Sequence, residues 1–170
     1  MEDDLKQNFE NYKTRLFQTL EQFVYKVLHK IRTDAIKNID TAKPYPKVMK
    51  GRLRGGIVVD VERVMSMIRG QVGVVSNVPY APYVHEGTRP HWSPIAPLVR
   101  WVIYKNIGRS ASPSTSRSAS KTQTNTAYGI AKGIQKKIAT KGTVGVPFLK
   151  LALDQNLPFI VREIQNLKMP

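Results

Sequence analysis

Apolar residues along the first forty positions recur at spacings of three or four: Leu5, Phe9, Tyr12, Leu16, Leu20, Phe23, Val27 and Ile31, with Val24 and Leu28 widening the stripe. That period puts them on one face of a helix. No Gly or Pro interrupts the run before Pro44. The pattern predicts one helix over 3–39, roughly 50–55 Å long at 1.5 Å per residue. A helix of that length exceeds the usual span of a domain of this size, so part of its stripe is expected to pack on another subunit. It must end before Ala42-Lys43-Pro44-Tyr45-Pro46, because two prolines forbid its continuation.

Beyond that point the period changes. Gly51-Arg52-Leu53-Arg54-Gly55-Gly56 reads as a turn-rich basic joint. Ile57 to Asp60 and Gln71 to Ser76 are β-branched runs bounded by Gly and Asn, the marks of short strands. Arg63 to Arg69 extends one of them, into an antiparallel hairpin or a three-stranded meander. Pro79 to Thr88 is expected to form a turn or a short helical segment. Ser93 reads as an N-cap with Pro94 behind it, opening a helix from about 94 to 106 on Ala96, Leu98, Val99, Val102 and Ile103. Thr126 to Ala139 is a helix with an apolar face (Ile130, Ile134, Ile138) and a basic one (Lys132, Lys136, Lys137), broken by Lys141 to Pro147. Phe148 to Leu167 is a last amphipathic helix that Pro158 is expected to kink or split. The reading is α+β: a long N-terminal helix over 1–40, then a compact body over 41–170 with a small antiparallel β-sheet and two to three further helices.

Charge changes the picture. The chain of 170 residues carries 27 Lys and Arg against 12 Asp and Glu, a net charge of +15. Residues 1–40 hold seven of each sign and residues 151–170 hold two of each, so the excess belongs to 41–150, where the only acids are Asp60, Glu62 and Glu86. A net charge of about 2–8 suffices for solubility, so this body is expected to face a polyanion. The aromatic residues Tyr80, Tyr83, Trp92, Trp101 and Tyr104 are interleaved with that charge and could stack on bases. No helix-turn-helix, zinc-finger or RNA-recognition signature accompanies them.

Candidate chemistry is thin. Zero cysteines exclude disulfides, thiolate zinc sites and a cysteine nucleophile. Gly51 to Gly56 has the spacing of a phosphate loop, but Ile57-Val58 stand where Lys and Ser or Thr are needed. No GxSxG elbow is present. His85, Glu86 and His91 fit no zincin spacing, and Pro90 breaks any helix between them. A structural role without turnover and without a cofactor is therefore expected. The acidic start Met1-Glu2-Asp3-Asp4 is not that of a signal peptide, and no apolar run suits a membrane span, so a soluble protein made in the cytoplasm is expected. Arg109 to Thr126 has ten Ser or Thr in eighteen residues, three basic residues and no acid, and reads as a mobile loop that cannot fold by itself.

Two stretches resemble a known family. They are Val78-Pro79-Tyr80-Ala81-Pro82-Tyr83-Val84-His85-Glu86-Gly87-Thr88 and Gly142-Thr143-Val144-Gly145-Val146-Pro147-Phe148-Leu149, followed by Ala152-Leu153. With Gly51-Arg52-Leu53-Arg54 ahead of the strands, the chain from roughly 50 to 155 is similar to the minor tail-component family of tailed bacteriophages. The Ser-rich insert and the histidine inside the first motif depart from the family pattern. The resemblance implies a structural virion protein of the neck, at the head–tail interface, forming a homo-oligomeric ring of six copies, with twelve as the alternative. Its implied partners are neighbouring neck, stopper, adaptor, tail-terminator or tube proteins, and genomic DNA bound without sequence preference in the channel. The subunit or partner interface is expected at Tyr80, Ala81, Tyr83, Val84, Glu86, Gly87 and Thr88. Residues expected to face the DNA channel are Arg109, Arg117, Lys121, Lys132, Lys136 and Lys137. A basic, sequence-nonspecific nucleic-acid-binding protein is the alternative reading.

Overall fold

The computed structural model describes residues 2–42, 51–107 and 121–168. The architecture is α+β, with a long N-terminal helix, a small antiparallel hairpin and several further helices. Two compact units divide the chain: residues 1–81 with 146–170, and residues 82–145. The sequence reading set residues 1–40 apart from a body over 41–170, whereas the contacts group this helix with the hairpin and the C-terminal helix.

In the first unit, α1 (Glu2–Asp40) is one unbroken helix of 39 residues, as the apolar period requires. Val27, Ile31, Ala35 and Ile39 bury one side of its C-terminal half. The expected basic joint is instead a short helix, α2 (Arg52–Gly56). Gly51 supplies its left-handed N-cap at φ 75, a conformation only glycine adopts cheaply. Strands β1 (Ile57–Val64) and β2 (Met67–Val74) form a hairpin rather than a meander, paired from Ile57↔Val74 to Val64↔Met67. In β1, buried or half-buried Ile57, Val59 and Val61 alternate with exposed Val58, Asp60 and Glu62, the period of a strand covered on one side. The cover is α1: Arg32 Nε donates to the Ile57 carbonyl at 2.7 Å, and the Arg63 guanidinium stacks 3.6 Å from the Phe17 ring centroid.

The last helix, α6 (Phe148–Gln165), also lies in this unit and packs against α1, burying Phe148 and Ala152. It runs through Pro158 without being split. Buried Asn156 donates from Nδ2 to Asp34 Oδ2 at 2.8 Å and to the Ala152 carbonyl at 2.8 Å.

The second unit is built on two helices, α4 (Ile95–Tyr104) and α5 (Lys121–Lys141). Val102, Ala127 and Ala131 are buried between them, with Leu98, Val99, Ile130 and Ile134 packed around. Asn106 at φ 56 closes α4. The Ile107 amide bonds the Val102 carbonyl and the Asn106 amide the Ile103 carbonyl, a Schellman end with Ile107 returned to the core. The N-terminus departs from expectation. Ser93 does not cap the helix; Pro94 takes the cap position with no side-chain bond, and Ser93 is buried, its carbonyl accepting from Gln135 Nε2 at 2.6 Å. Helix α5 begins at Lys121, so residues 121–126 of the expected loop are helical instead. Its remaining part, including Arg109 and Arg117, lies outside the described residues. The short helix α3 (Ala81–Glu86) leads into β3 (Gly87–Thr88), which pairs antiparallel with β4 (Thr143–Val144).

Candidate functional site

The two stretches that carried the family resemblance meet in the β3–β4 ladder. Gly87 pairs with Val144 and Thr88 with Thr143. Thr88 Oγ1 lies 2.9 Å from Thr143 Oγ1 and also accepts the Thr143 amide at 3.2 Å. Glycine is demanded on both sides. Gly87 has φ +88 and a Cβ there would strike the Thr143 carbonyl oxygen; Gly142 has φ +70 and a Cβ there would strike that of Thr88. A Cβ on Gly145 would meet the Glu86 carbonyl carbon. Close backbone approach therefore explains Glu86-Gly87-Thr88 and Gly142-Thr143-Val144-Gly145 together. Gly87 and Thr88 serve this ladder and are half-buried in it.

The other expected interface residues are placed differently. Ala81 is buried, 5 % exposed, and its amide bonds the Val78 carbonyl. Val84 is half-buried, whereas Tyr80, Tyr83 and Glu86 are exposed, Tyr83 to 63 %. A tyrosine left this open offers a large apolar area at the cost of ordering only two torsions, which suits a contact surface.

The basic residues form the second feature. Residues 82–145 hold ten Lys and Arg and a single acid, Glu86. Helix α5 displays part of that charge because its apolar side is committed to α4. Lys132 and Lys136 are exposed on the opposite side, and Lys137 is exposed on a flank. Among the described residues none of the three pairs with a carboxylate. Tyr128, Lys132 and Lys136 follow at i, i+4, i+8 on one face, with the Lys132 ammonium 5.4 Å from the Tyr128 ring centroid. Gly129 and Gly133 beside them face open space, so an approaching chain can reach the helix backbone. Lys121 is the first residue of α5. Sequence reasoning found the lysines but missed Tyr128 and the two glycines; the i+4 spacing was the available signal.

Among the described residues no group of three or more His, Cys, Asp or Glu gathers that could hold a metal ion. His91 Nδ1 is 2.9 Å from the Arg89 carbonyl oxygen. A surface depression of about 430 Å³ is lined by Glu21, Gln22, Tyr25, Lys26 and Val61. Among the described residues no helix is long and apolar enough to cross a membrane. No protein-family model matches this chain, and no curated protein and no solved structure matches it either.

Proposed function

We propose that this chain is a structural protein of a tailed-bacteriophage neck, forming a ring that joins or completes the tail at the DNA-filled head. The observation that carries the reading is the β3–β4 ladder. The two stretches resembling the minor tail-component family are more than fifty residues apart, yet each glycine of one is required by the backbone of the other. Their pairing supports reading them together, as one structural motif. The charge of residues 82–145 supports a position beside DNA, because a channel wall lined with Lys132, Lys136 and Lys137 attracts phosphates without reading bases. The protein works by geometry, as a ring of six or twelve copies in the virion, mated to neighbouring neck or tail proteins, with no turnover.

The exposed run Tyr128–Lys132–Lys136 favours a second reading, a sequence-blind nucleic-acid-binding protein that acts on free duplex. Electron microscopy of the purified protein, with duplex titrated alongside, separates the two. Rings and weak DNA binding are expected. Tight binding of duplex by a monomer or dimer that never forms rings overturns the neck reading.

A further inference from the structure

Residues 3–15 of α1 are exposed throughout. On one side of this segment stand Leu5 (67 % exposed), Phe9 (65 %) and Tyr12 (46 %), followed by half-buried Leu16. They extend the same stripe that is buried lower down at Val27 and Ile31. Helix α6 covers that lower part, running antiparallel to α1. Asn38 Nδ2 reaches the Phe148 carbonyl, Asp34 meets Asn156, and Lys26 pairs with Glu163. Since α6 ends at Gln165, it stops near the level of Lys26. The hairpin reaches as far as Phe17, through Arg63. About fifteen residues of α1, roughly 22 Å of helix, therefore project past both. Because α1 is unbroken, this chain's own α6 cannot turn back to cover them.

Helix α6 has an apolar flank of its own that α1 leaves uncovered. Ala152, Asn156, Phe159 and Glu163 face α1, while Leu153, Leu157, Val161 and Ile164 are exposed and Ile160 is half-buried. At 100° per residue this second flank lies about a quarter-turn from the first. Read backwards, Ile164, Ile160, Leu157 and Leu153 have spacings of four, three and four, the same as Leu5, Phe9, Tyr12 and Leu16.

We propose that the α1 overhang of one copy lies antiparallel on the exposed α6 flank of a second copy, in the packing mode that α6 already uses against its own α1. The contact is head-to-tail: each copy gives one overhang and accepts one, so it generates a closed ring or an open filament. A strip about 22 Å long is small beside the roughly 800 Å² per partner of a standard interface, so a lone pair is weak and closure adds the stability. The contact stands on these two flanks; only its closure rests on the ring reading.

The chain has no cysteine, so single variants Leu5→Cys and Ile164→Cys, purified separately, report the contact directly. Mixed and treated with a short bismaleimide, they are expected to yield covalent dimer, while each by itself yields little. Leu5→Asp is expected to weaken association several-fold. Both positions are exposed, and circular dichroism checks that each variant stays helical. Linkage of Leu5→Cys to Leu16→Cys instead means that overhangs pair with each other and overturns the proposal. Absence of any link, with monomer in sedimentation, also overturns it and assigns the flanks to a different protein. Rings on grids without the Leu5–Ile164 link reject this contact but leave the neck reading. The link with open chains and no ring does the reverse.

Discussion

The hydroxyl oxygens of Thr88 and Thr143 lie 2.9 Å apart, and Thr88 Oγ1 also takes the backbone N–H of Thr143. One side chain thus closes a ladder only two residues long on each strand. A ladder this short holds few backbone bonds of its own, so side-chain bonds carry a large share of its stability. Thr88→Val keeps the shape and removes both bonds. A loss of about 1–2 kcal/mol is expected, read as faster amide exchange over 142–145.

Gly142→Ala should cost more than a lost hydrogen bond. The φ of +70 is strained for any residue with a Cβ, and that Cβ would collide with the Thr88 carbonyl oxygen. About 1–3 kcal/mol is expected, seen as a lower melting temperature with α1–hairpin exchange unchanged.

The hairpin offers a matched pair of glycines. A Cβ on Gly70 would sit 2.6 Å from Leu28 Cδ1 and closer still to a Val24 methyl, whereas one on Gly73 would meet nothing within 4 Å. Gly70→Ala should therefore destabilise by about 1–3 kcal/mol through overpacking against α1. Gly73→Ala should be neutral or slightly stabilising. Equal effects in denaturant titrations would show that β2 does not press on α1 as described.

Acid sensitivity should centre on Asp34. Burial raises its pKa, but hydrogen bonds from Lys30 and Asn156 and the charges of Lys30 and Lys37 outweigh this and hold it below the ordinary 3.8. A folded-state pKa below the unfolded one contributes stability that is present above the unfolded value and lost as pH falls through the folded value. The denaturation midpoint of the native chain should thus drop as pH falls below about 3.8. Asp34→Asn should be less stable at neutral pH and show a flatter acid limb.

Neutralising Lys132, Lys136 and Lys137 together with Gln tests the basic face of α5. Each phosphate contact contributes roughly 0.9 to the slope of log K against log salt. If all three meet phosphates, the slope for duplex DNA should flatten by nearly three, equally for every sequence tried. An unchanged slope would move the DNA-facing surface off this helix.

Particular residues show how far sequence carried. Leu5 to Ile31 announced α1 because period and the absence of Gly and Pro are local properties. β-Branched runs bounded by Gly and Asn announced the strands, though the turn at Met65, with φ 53, follows no glycine signal. Ser93 misled as an N-cap, because Gln135, forty-two positions on, holds its carbonyl in the core. Low complexity masked the first turn of α5 at 121–126, where the apolar anchors Ala127 and Ala131 come only afterwards.

The α+β class, the length of α1, the basic excess between 41 and 150 and the lysine spacing of α5 were determined by sequence itself. Each depends on neighbours within a few residues or on composition. Tertiary structure decided which glycines are indispensable, because Gly87 and Gly142 are constrained by carbonyls more than fifty positions away. It also decided which half of the α1 stripe is core. Leu5 and Ile31 carry the same signal along the chain, yet α6 ends near Lys26 and buries only the second. Burial depends on where a partner helix stops, and periodicity holds no record of that.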